Sequence, residues 1–320
     1  MDITHADITH KGQIALGAMY FGTRQDQDES FAILDRFAEL GGRWLDTADN
    51  YSFWESETGF GGASEAMLGQ WFAAHPGVRD QMWVSTKMGA APLIPGSWPE
   101  SMEGLSPAAI EAALNGSLER LGTDHVELLW AHVEDRTVPL EDQVSALGAT
   151  VADGRVKQVG ASNHAVWRVD RARATASALG VEPYSAMQLR HTYLQPIPFA
   201  DLPDGGHVVA TPDALDYART EDLAFWAYNT LLAGAYARPD RPLQAPYLHA
   251  DTERRLAALD RVARSLGATR NQVVLAWLMG GSPAVTPIVG VSSVTQLDEI
   301  MAARDVHLDA DALAVLNSVS

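Results

Sequence analysis

The sequence contains no cysteine among its 320 residues. A disulfide framework, a thiol nucleophile and a thiolate metal site are therefore excluded. No stretch approaches the roughly 20 apolar residues of a membrane-spanning helix, so no membrane association is expected. The opening Met1-Asp2-Ile3-Thr4-His5 has neither the basic region nor the apolar run of a signal peptide. Together these absences favour a cytoplasmic protein.

Basic residues are also scarce, with 23 Lys and Arg against 41 Asp and Glu and a formal net charge of -18. Nucleic-acid phosphates bind to basic patches, so this charge argues against a nucleic-acid partner. It does not by itself indicate a cationic substrate, because many soluble proteins carry such a charge for solubility. The oligomeric state is left open by these observations.

The chain also lacks the Gly-x-Gly-x-x-Gly fingerprint that follows the first strand of a doubly wound dinucleotide-binding sheet. The only candidate, Gly59-Phe60-Gly61-Gly62, has neither the third glycine nor a preceding strand. We therefore reject an open dinucleotide-binding sheet.

Short apolar strands alternate with helical patterns along a chain whose hydrophobic content is 47%. In one clear helix, Ser106 is a suitable N-cap, Pro107 follows in the first turn, and apolar residues recur at helical spacing up to Leu121. Eight strands are predicted, at residues 14–17, 44–47, 83–87, 126–132, 157–161, 185–189, 223–227 and 284–289. This alternation, without an internal repeat, predicts an α/β fold: a (β/α)8 TIM barrel forming one domain over residues 1–320.

Three connections are longer than plain barrel turns. Residues 51–64 and 191–220 are predicted to form loops over the C-terminal ends of the strands, and residues 234–250 are rich in proline. Loops at that face build the active site of a barrel enzyme.

Three predicted strands end in a titratable side chain, and a tyrosine follows one of them. The strand ends carry Asp46, Lys87 and His132, and Tyr51 lies five residues beyond Asp46. A tyrosine can act as a general acid only if something lowers its high pKa, and a nearby cation can do so. We predict that Lys87 lowers the pKa of Tyr51 by its charge and that Asp46 pairs with Lys87. His132 ends the third of these strands and is expected at the same face of the barrel.

Each of these residues also has an ordinary structural interpretation. A loop tyrosine is usually a packing residue, and an Asp–Lys pair at strand ends is usually a structural ion pair. The coincidence of all four at or just beyond strand C-termini favours catalysis, because those ends meet at one face of the barrel.

Five segments, in order along nearly the whole chain, resemble the aldo-keto reductase family: residues 46–51, 85–88, 128–132, 160–163 and 287–293. The resemblance implies reduction of an aldehyde or ketone to an alcohol, with NADPH as cofactor and NADH as a possible substitute. It also implies that Asp46, Tyr51, Lys87 and His132 are the catalytic residues. Tyr51 would donate a proton to the developing alkoxide, and His132 together with Tyr51 would bind the carbonyl oxygen.

The resemblance further implies a set of cofactor-binding residues: Ser162, Asn163, Gln188, Tyr228, Leu231, Gly290, Ser292 and Gln296. The amide and hydroxyl side chains among them can hydrogen-bond a carboxamide, and the tyrosine ring offers a face for stacking. The glycine-led turn at 290–297 begins a helix and is typical of a phosphate site. The structural alternatives are turn capping for Ser162 and Asn163, and core packing for Tyr228.

The chain departs from the family pattern in its cofactor segments. Ser292 stands where an arginine or lysine often holds the 2′-phosphate of NADPH, and Glu299-Ile300 replaces a common Glu-Asn pair. Asn229-Thr230 replaces a Ser-Pro pair after Tyr228. We therefore expect NADPH to be preferred by a smaller factor than usual, with Arg238 as a possible cation from elsewhere.

Phe53 and Trp54 follow the tyrosine and are predicted to line the substrate pocket, with core packing as the alternative.

Two other classes of function remain as alternatives. A metal-dependent barrel hydrolase would use His132, Asp135 and His164, but the chain has no His-x-His pair and this function leaves Tyr51 and Lys87 unexplained. The other class is a nucleotide-binding subunit that senses redox state through interactions, which only turnover measurements separate from an enzyme.

Overall fold

Eight parallel strands form a closed barrel in the order β1 to β8. The computed structural model describes residues 4–9, 11–202 and 206–318, so Met1–Ile3 and part of the predicted loop 191–220 lie outside the described residues. The (β/α)8 fold predicted from the sequence is confirmed, and the predicted strand bounds differ from the observed ones by single residues. The strands are β1 Ala15–Gly17, β2 Trp44–Asp46, β3 Trp83–Met88, β4 Val126–Ala131, β5 Val156–Ser162, β6 Ala186–Arg190, β7 Ala224–Tyr228 and β8 Val285–Val289.

Helices surround the barrel, and their ends follow local capping chemistry. Asp26 forms a capping box with Glu29, and the Ser106 side chain accepts a hydrogen bond from the backbone N–H of Ala109. The helices are α1 His5–Thr9, α2 Gln27–Glu39, α3 Ala63–Ala74, α4 Pro107–Leu121, α5 Leu140–Ala152, α6 Val166–Leu179, α7 Pro212–Thr220, α8 Ala250–Leu266, α9 Arg270–Met279, α10 Val294–Met301 and α11 Ala310–Asn317. Within the described part of the chain, no helix is long and apolar enough to span a membrane.

The prediction of a loop over the whole of residues 191–220 was wrong, because its last part is the helix α7. Thr211 caps α7 by accepting from the N–H of Ala214, and Pro212 occupies the first turn. The fully buried side chains of α7 are small, Ala214 and Ala218. Leu215 and Tyr217 also pack against the core, so the segment has a helical apolar pattern after Thr211 and Pro212 that the sequence analysis did not use.

Three tryptophans fill the interior of the barrel. The ring of Trp226 lies 4.9 Å from that of Trp44 and 5.6 Å from that of Trp130, measured between centroids. A side chain at Gly160 would place its Cβ 2.5 Å from the Trp130 ring, so glycine is required at that position of β5. The interior is therefore a packed core, and the space for ligands lies beyond it at the strand C-termini.

Side-chain alternation carries the functional residues to that open end. Trp44 and Trp130 belong to the interior cluster, so the residues two positions later, Asp46 and His132, point to the same side. Lys87 is in register with Trp130 across the β3–β4 pair. Parallel pairing brings these side chains to one face.

Candidate active site

Lys87 lies at the centre of the cluster and is completely buried. Its Nζ donates to the Tyr51 hydroxyl at 2.6 Å, to Asp46 Oδ2 at 2.6 Å and to the Thr47 carbonyl oxygen at 2.8 Å. An ammonium group has three N–H donors, and these three acceptors use all of them. The position of the charge is thus set by β2, β3 and the turn that carries Tyr51.

The carboxylate of Asp46 is equally buried, and its two oxygens have different partners. Oδ2 accepts from Lys87, whereas Oδ1 accepts from the Ser85 hydroxyl at 2.8 Å. Sequence analysis missed Ser85, although its place two residues before Lys87 on the same strand face is a usable signal.

Tyr51 is oriented by the hydrogen bond that it accepts from Lys87. Its own O–H lies 3.3 Å from Asp46 Oδ2, longer than the roughly 2.7–2.8 Å typical of a hydroxyl–oxygen hydrogen bond. The ring remains partly exposed at the barrel mouth. The hydroxyl is therefore able to donate to an oxygen that enters from the mouth.

The expectation that the charge of Lys87 lowers the pKa of Tyr51 stays a prediction, but other influences decide the direction of the overall pKa shift. Burial, followed by the charge and hydrogen bonding of Asp46, raises the pKa of Tyr51 well above its usual value. Burial also lowers the pKa of Lys87, with Asp46 opposing that change. Since Asp46 contacts both groups, the negative charge offsets the cation. Tyr51 is consequently a neutral phenol near pH 7, the form that can donate a proton.

His132 follows β4 and faces Tyr51, with 5.9 Å between the ring centroids. Burial, and then the positive charge of Lys87, holds the pKa of His132 well below its usual value. The imidazole is therefore neutral near pH 7 and carries one N–H donor. Its Nδ1 is buried and has no hydrogen-bond partner within residues 4–9, 11–202 and 206–318. A neutral donor beside Tyr51 suits a carbonyl oxygen.

The side chain of Asn163 donates two hydrogen bonds and accepts two. Its Oδ1 accepts from the Tyr228 hydroxyl at 2.6 Å and from the Val208 N–H at 3.1 Å. Its Nδ2 donates to the His132 carbonyl and to Ser162 Oγ, each at 3.1 Å. These contacts tie three strand ends together, and the cofactor role of Ser162 and Asn163 stays a prediction.

Gln188 offers a free donor next to this network. The residue is 1% exposed, and its Nε2 has no partner among the residues that the structure describes. A buried amide donor without an acceptor is costly unless a ligand supplies one. The side chain therefore fits the oxygen of a carboxamide such as that of nicotinamide.

Two further cofactor candidates lie after β7. Tyr228 is partly exposed, and its ring centroid lies 4.9 Å from that of His207. Leu231 packs against the main core.

The turn at 290–297 forms a capped helix start, as predicted. Ser293 is the N-cap of α10, and its Oγ accepts from the N–H of Gln296. Gln296 Oε1 in turn accepts from the Ser292 N–H at 2.8 Å and from the Ser292 hydroxyl at 3.0 Å. Gln296 thus occupies the two Ser292 donors that we expected to bind phosphate. Arg238, the other candidate, pairs with Asp240 at the surface.

Aromatic side chains from three loops form a wall beside Tyr51. The Phe53 ring lies 5.0 Å from Trp54 and 6.0 Å from Trp98, and Trp54 lies 6.5 Å from Tyr20. Trp54 is 49% exposed, so it is not a core residue. Sequence analysis missed Tyr20 and Trp98, which follow β1 and β3 in loops without a periodic pattern.

The residues proposed for a metal hydrolase have other partners. Asp135 accepts from the N–H of Leu105 at 2.9 Å and from Thr137, and His164 Nδ1 lies 2.7 Å from the Ser162 carbonyl oxygen. Burial lowers the pKa of His164 to about 4. Across residues 4–9, 11–202 and 206–318, no group of three His, Asp or Glu side chains is placed to hold a metal ion.

Known proteins resemble this chain over nearly its whole length. A sequence model described as the Aldo/keto reductase family matches residues 13–320. The uncharacterized oxidoreductase YrpG of Bacillus subtilis is 29% identical over 314 residues, covering 96% of this chain and 91% of the relative. An aryl-alcohol dehydrogenase (NADP+) of Phanerodontia chrysosporium is 29% identical over 337 residues, covering 96% and 82%. A norsolorinic acid reductase of Aspergillus flavus is 28% identical over 313 residues, covering 94% and 75%.

Proposed function

Because the chain belongs to the aldo/keto reductase family and is an oxidoreductase, we propose that it reduces an aldehyde or ketone to an alcohol with NADPH. The observation that carries this proposal is the hydrogen bond from buried Lys87 to the hydroxyl of partly exposed Tyr51. Relatives named for an aryl alcohol and for norsolorinic acid support carbonyl–alcohol chemistry.

In this proposal Tyr51 is the proton donor. Its hydroxyl and the neutral imidazole of His132 bind the carbonyl oxygen, which gains negative charge as the carbonyl is reduced. When bound, the nicotinamide cofactor supplies the hydride for the carbonyl carbon. Tyr51 protonates the oxygen, and Lys87 stabilises the phenolate that remains. Asp46 holds Lys87 in place throughout.

The residues that would hold the cofactor lie around the same barrel mouth. Gln188 has the free amide donor for the carboxamide, with Ser162 and Asn163 beside it. The ring of Tyr228 would stack on the nicotinamide, next to Leu231. At the far end, Gly290, Ser292 and Gln296 would contact phosphate once Gln296 releases the Ser292 donors.

The direct test follows NADPH absorbance with a panel of aldehydes and ketones, including aromatic and sugar-like carbonyls. We expect turnover with at least one class, unchanged by a metal chelator. Cofactor binding without turnover on any of them would instead favour the redox-sensing interaction subunit. Activity that depends on a metal would contradict the proposal.

Cofactor preference provides a second prediction. Ser292 lies in a run, 290–297, without lysine or arginine, and its donors are shared with Gln296. We expect NADPH to be preferred over NADH by a modest factor, and Ser292→Arg to widen the gap by about tenfold through a charge-assisted hydrogen bond to the 2′-phosphate. The measurement is kcat/KM for both cofactors in both proteins. NADH is the internal control, and a native preference for NADH would overturn the assignment of NADPH.

The aromatic wall provides a third prediction. Trp54→Ala should raise KM about tenfold for 2-naphthaldehyde but little for propanal, because only the larger substrate reaches the wall. Leu179→Ala is a control, since Leu179 is 49% exposed and is the last residue of α6, at the helix end away from the strand C-termini. Equal effects on both substrates, or none, would remove Trp54 from the pocket.

A further inference from the structure

Ser85 is a buried hydroxyl that the proposed reaction does not yet use. It lies on β3, two residues before Lys87, and is completely buried. Its Oγ donates to Asp46 Oδ1 at 2.8 Å, on the opposite side of the carboxylate from Lys87. Among Ser85, Asp46, Lys87 and Tyr51, Tyr51 at the mouth is the one that is partly exposed.

We propose that Ser85 is a positioning residue of the reaction, whose hydrogen bond fixes Asp46 and draws negative charge away from Tyr51. Asp46 has one oxygen for Ser85 and one for Lys87, so the plane of the carboxylate is set from both sides. This inference rests on the proposed role of Tyr51 as proton donor.

The physical reason is that Lys87 and Tyr51 approach the same carboxylate oxygen of Asp46. Its Oδ2 contacts Lys87 at 2.6 Å and Tyr51 at 3.3 Å, so charge on that oxygen opposes release of the tyrosine proton. A hydrogen bond from Ser85 stabilises the carboxylate at Oδ1 and reduces the charge available at Oδ2. Without Ser85, the enclosed carboxylate cannot turn to solvent, and its full charge acts on Tyr51 and Lys87.

The next residue on the strand provides a matched control. Thr86 is also completely buried, and its hydroxyl donates to a carboxylate, that of Glu65. Glu65 lies on the other side of β3, where it pairs with Arg120 at 2.7 Å. Thr86→Val therefore also removes one buried hydroxyl–carboxylate hydrogen bond, but away from Asp46.

The experiment compares Ser85→Ala, Ser85→Thr and Thr86→Val in the full chain with NADPH and an aldehyde substrate. We expect Ser85→Ala to lower kcat about tenfold with little change in KM, as a weaker acid slows proton transfer. The alkaline limb of its pH profile should move to higher pH, because added negative charge raises the pKa of both Tyr51 and Lys87. Ser85→Thr keeps the hydroxyl, so its kcat and the position of its alkaline limb should be close to those of the wild type. Thr86→Val should lower thermal stability and move the pH profile less than Ser85→Ala, because Glu65, like Asp49, acts on Lys87 through its charge, whereas Asp46 is hydrogen-bonded to Lys87.

A second readout does not need turnover. The NMR resonance of Tyr51 Cζ, identified by its loss in Tyr51→Phe, should shift in Ser85→Ala and stay in place in Thr86→Val. If Ser85→Ala does not fold, Ser85→Cys keeps the volume with a weaker donor and should show a smaller shift in the same direction. An unchanged Tyr51 resonance and pH profile in the Ser85 variants would overturn the inference. A wild-type chain that reduces no carbonyl would instead overturn the proposed function, whatever the resonance shows.

Discussion

Tyr51→Phe is expected to lower kcat for carbonyl reduction by about 10³-fold, within the range of a lost general acid. The substitution removes only the hydroxyl that Lys87 contacts, and it keeps the ring that faces His132. Binding of NADPH, followed by its fluorescence, should change little. The measurement is kcat with saturating NADPH beside the binding curve.

Tyr217→Phe is a matched control for this variant. The Tyr217 hydroxyl donates to Asp170 on the outer helices. Tyr217→Phe therefore also removes one phenolic hydroxyl, but away from the barrel mouth. We expect Tyr217→Phe to reduce the substrate at a near wild-type rate. If Tyr51→Phe behaved in the same way as this control, Tyr51 would not be the proton donor.

Lys87→Met is expected to lower kcat by about 10²-fold or more and to move the alkaline limb of the reaction to higher pH. Loss of the cation leaves the charge of Asp46 unbalanced beside Tyr51, which raises the pKa of the tyrosine further. A group with a raised pKa keeps its proton to higher pH, so reduction persists there although it is slower. Lys11→Met, at an exposed position, removes the same charge elsewhere and should leave the profile unchanged.

Asp46→Asn should move the profile in the opposite direction. The charge of Asp46 raises the pKa of Lys87 against the effect of burial, so its removal lets the ammonium lose its proton at lower pH. The alkaline limb should then move to lower pH. If both variants shifted the pH profile in the same direction, the electrostatic account of the Asp46–Lys87–Tyr51 group would be wrong.

Much of the architecture could be predicted from the sequence because it depends on short-range patterns. Apolar runs such as Val126–Ala131 and caps such as Ser106 are readable locally, and the observed strands match them to within single residues. Chain order and strand ends were also enough to predict that Asp46, Lys87 and Tyr51 meet, since all strands of a parallel barrel finish at one face. The hydrogen bonds among these three residues are as predicted.

The tertiary structure alone decided which partner each polar group has. The sign of the pKa shift of Tyr51 depends on burial and on a 3.3 Å approach to Asp46, and neither can be seen in the order of residues. Likewise, only the folded chain shows that Gln296 binds the Ser292 donors and that Asn163 is used by its neighbours. The sequence by itself determined the barrel and the meeting of Asp46, Lys87 and Tyr51 at its mouth, but not the presence there of Ser85, Tyr20 and Trp98. The protonation and bonding of the groups at the mouth were decided by distances between strands, because electrostatic and hydrogen-bond energies depend on burial and on fractions of an ångström.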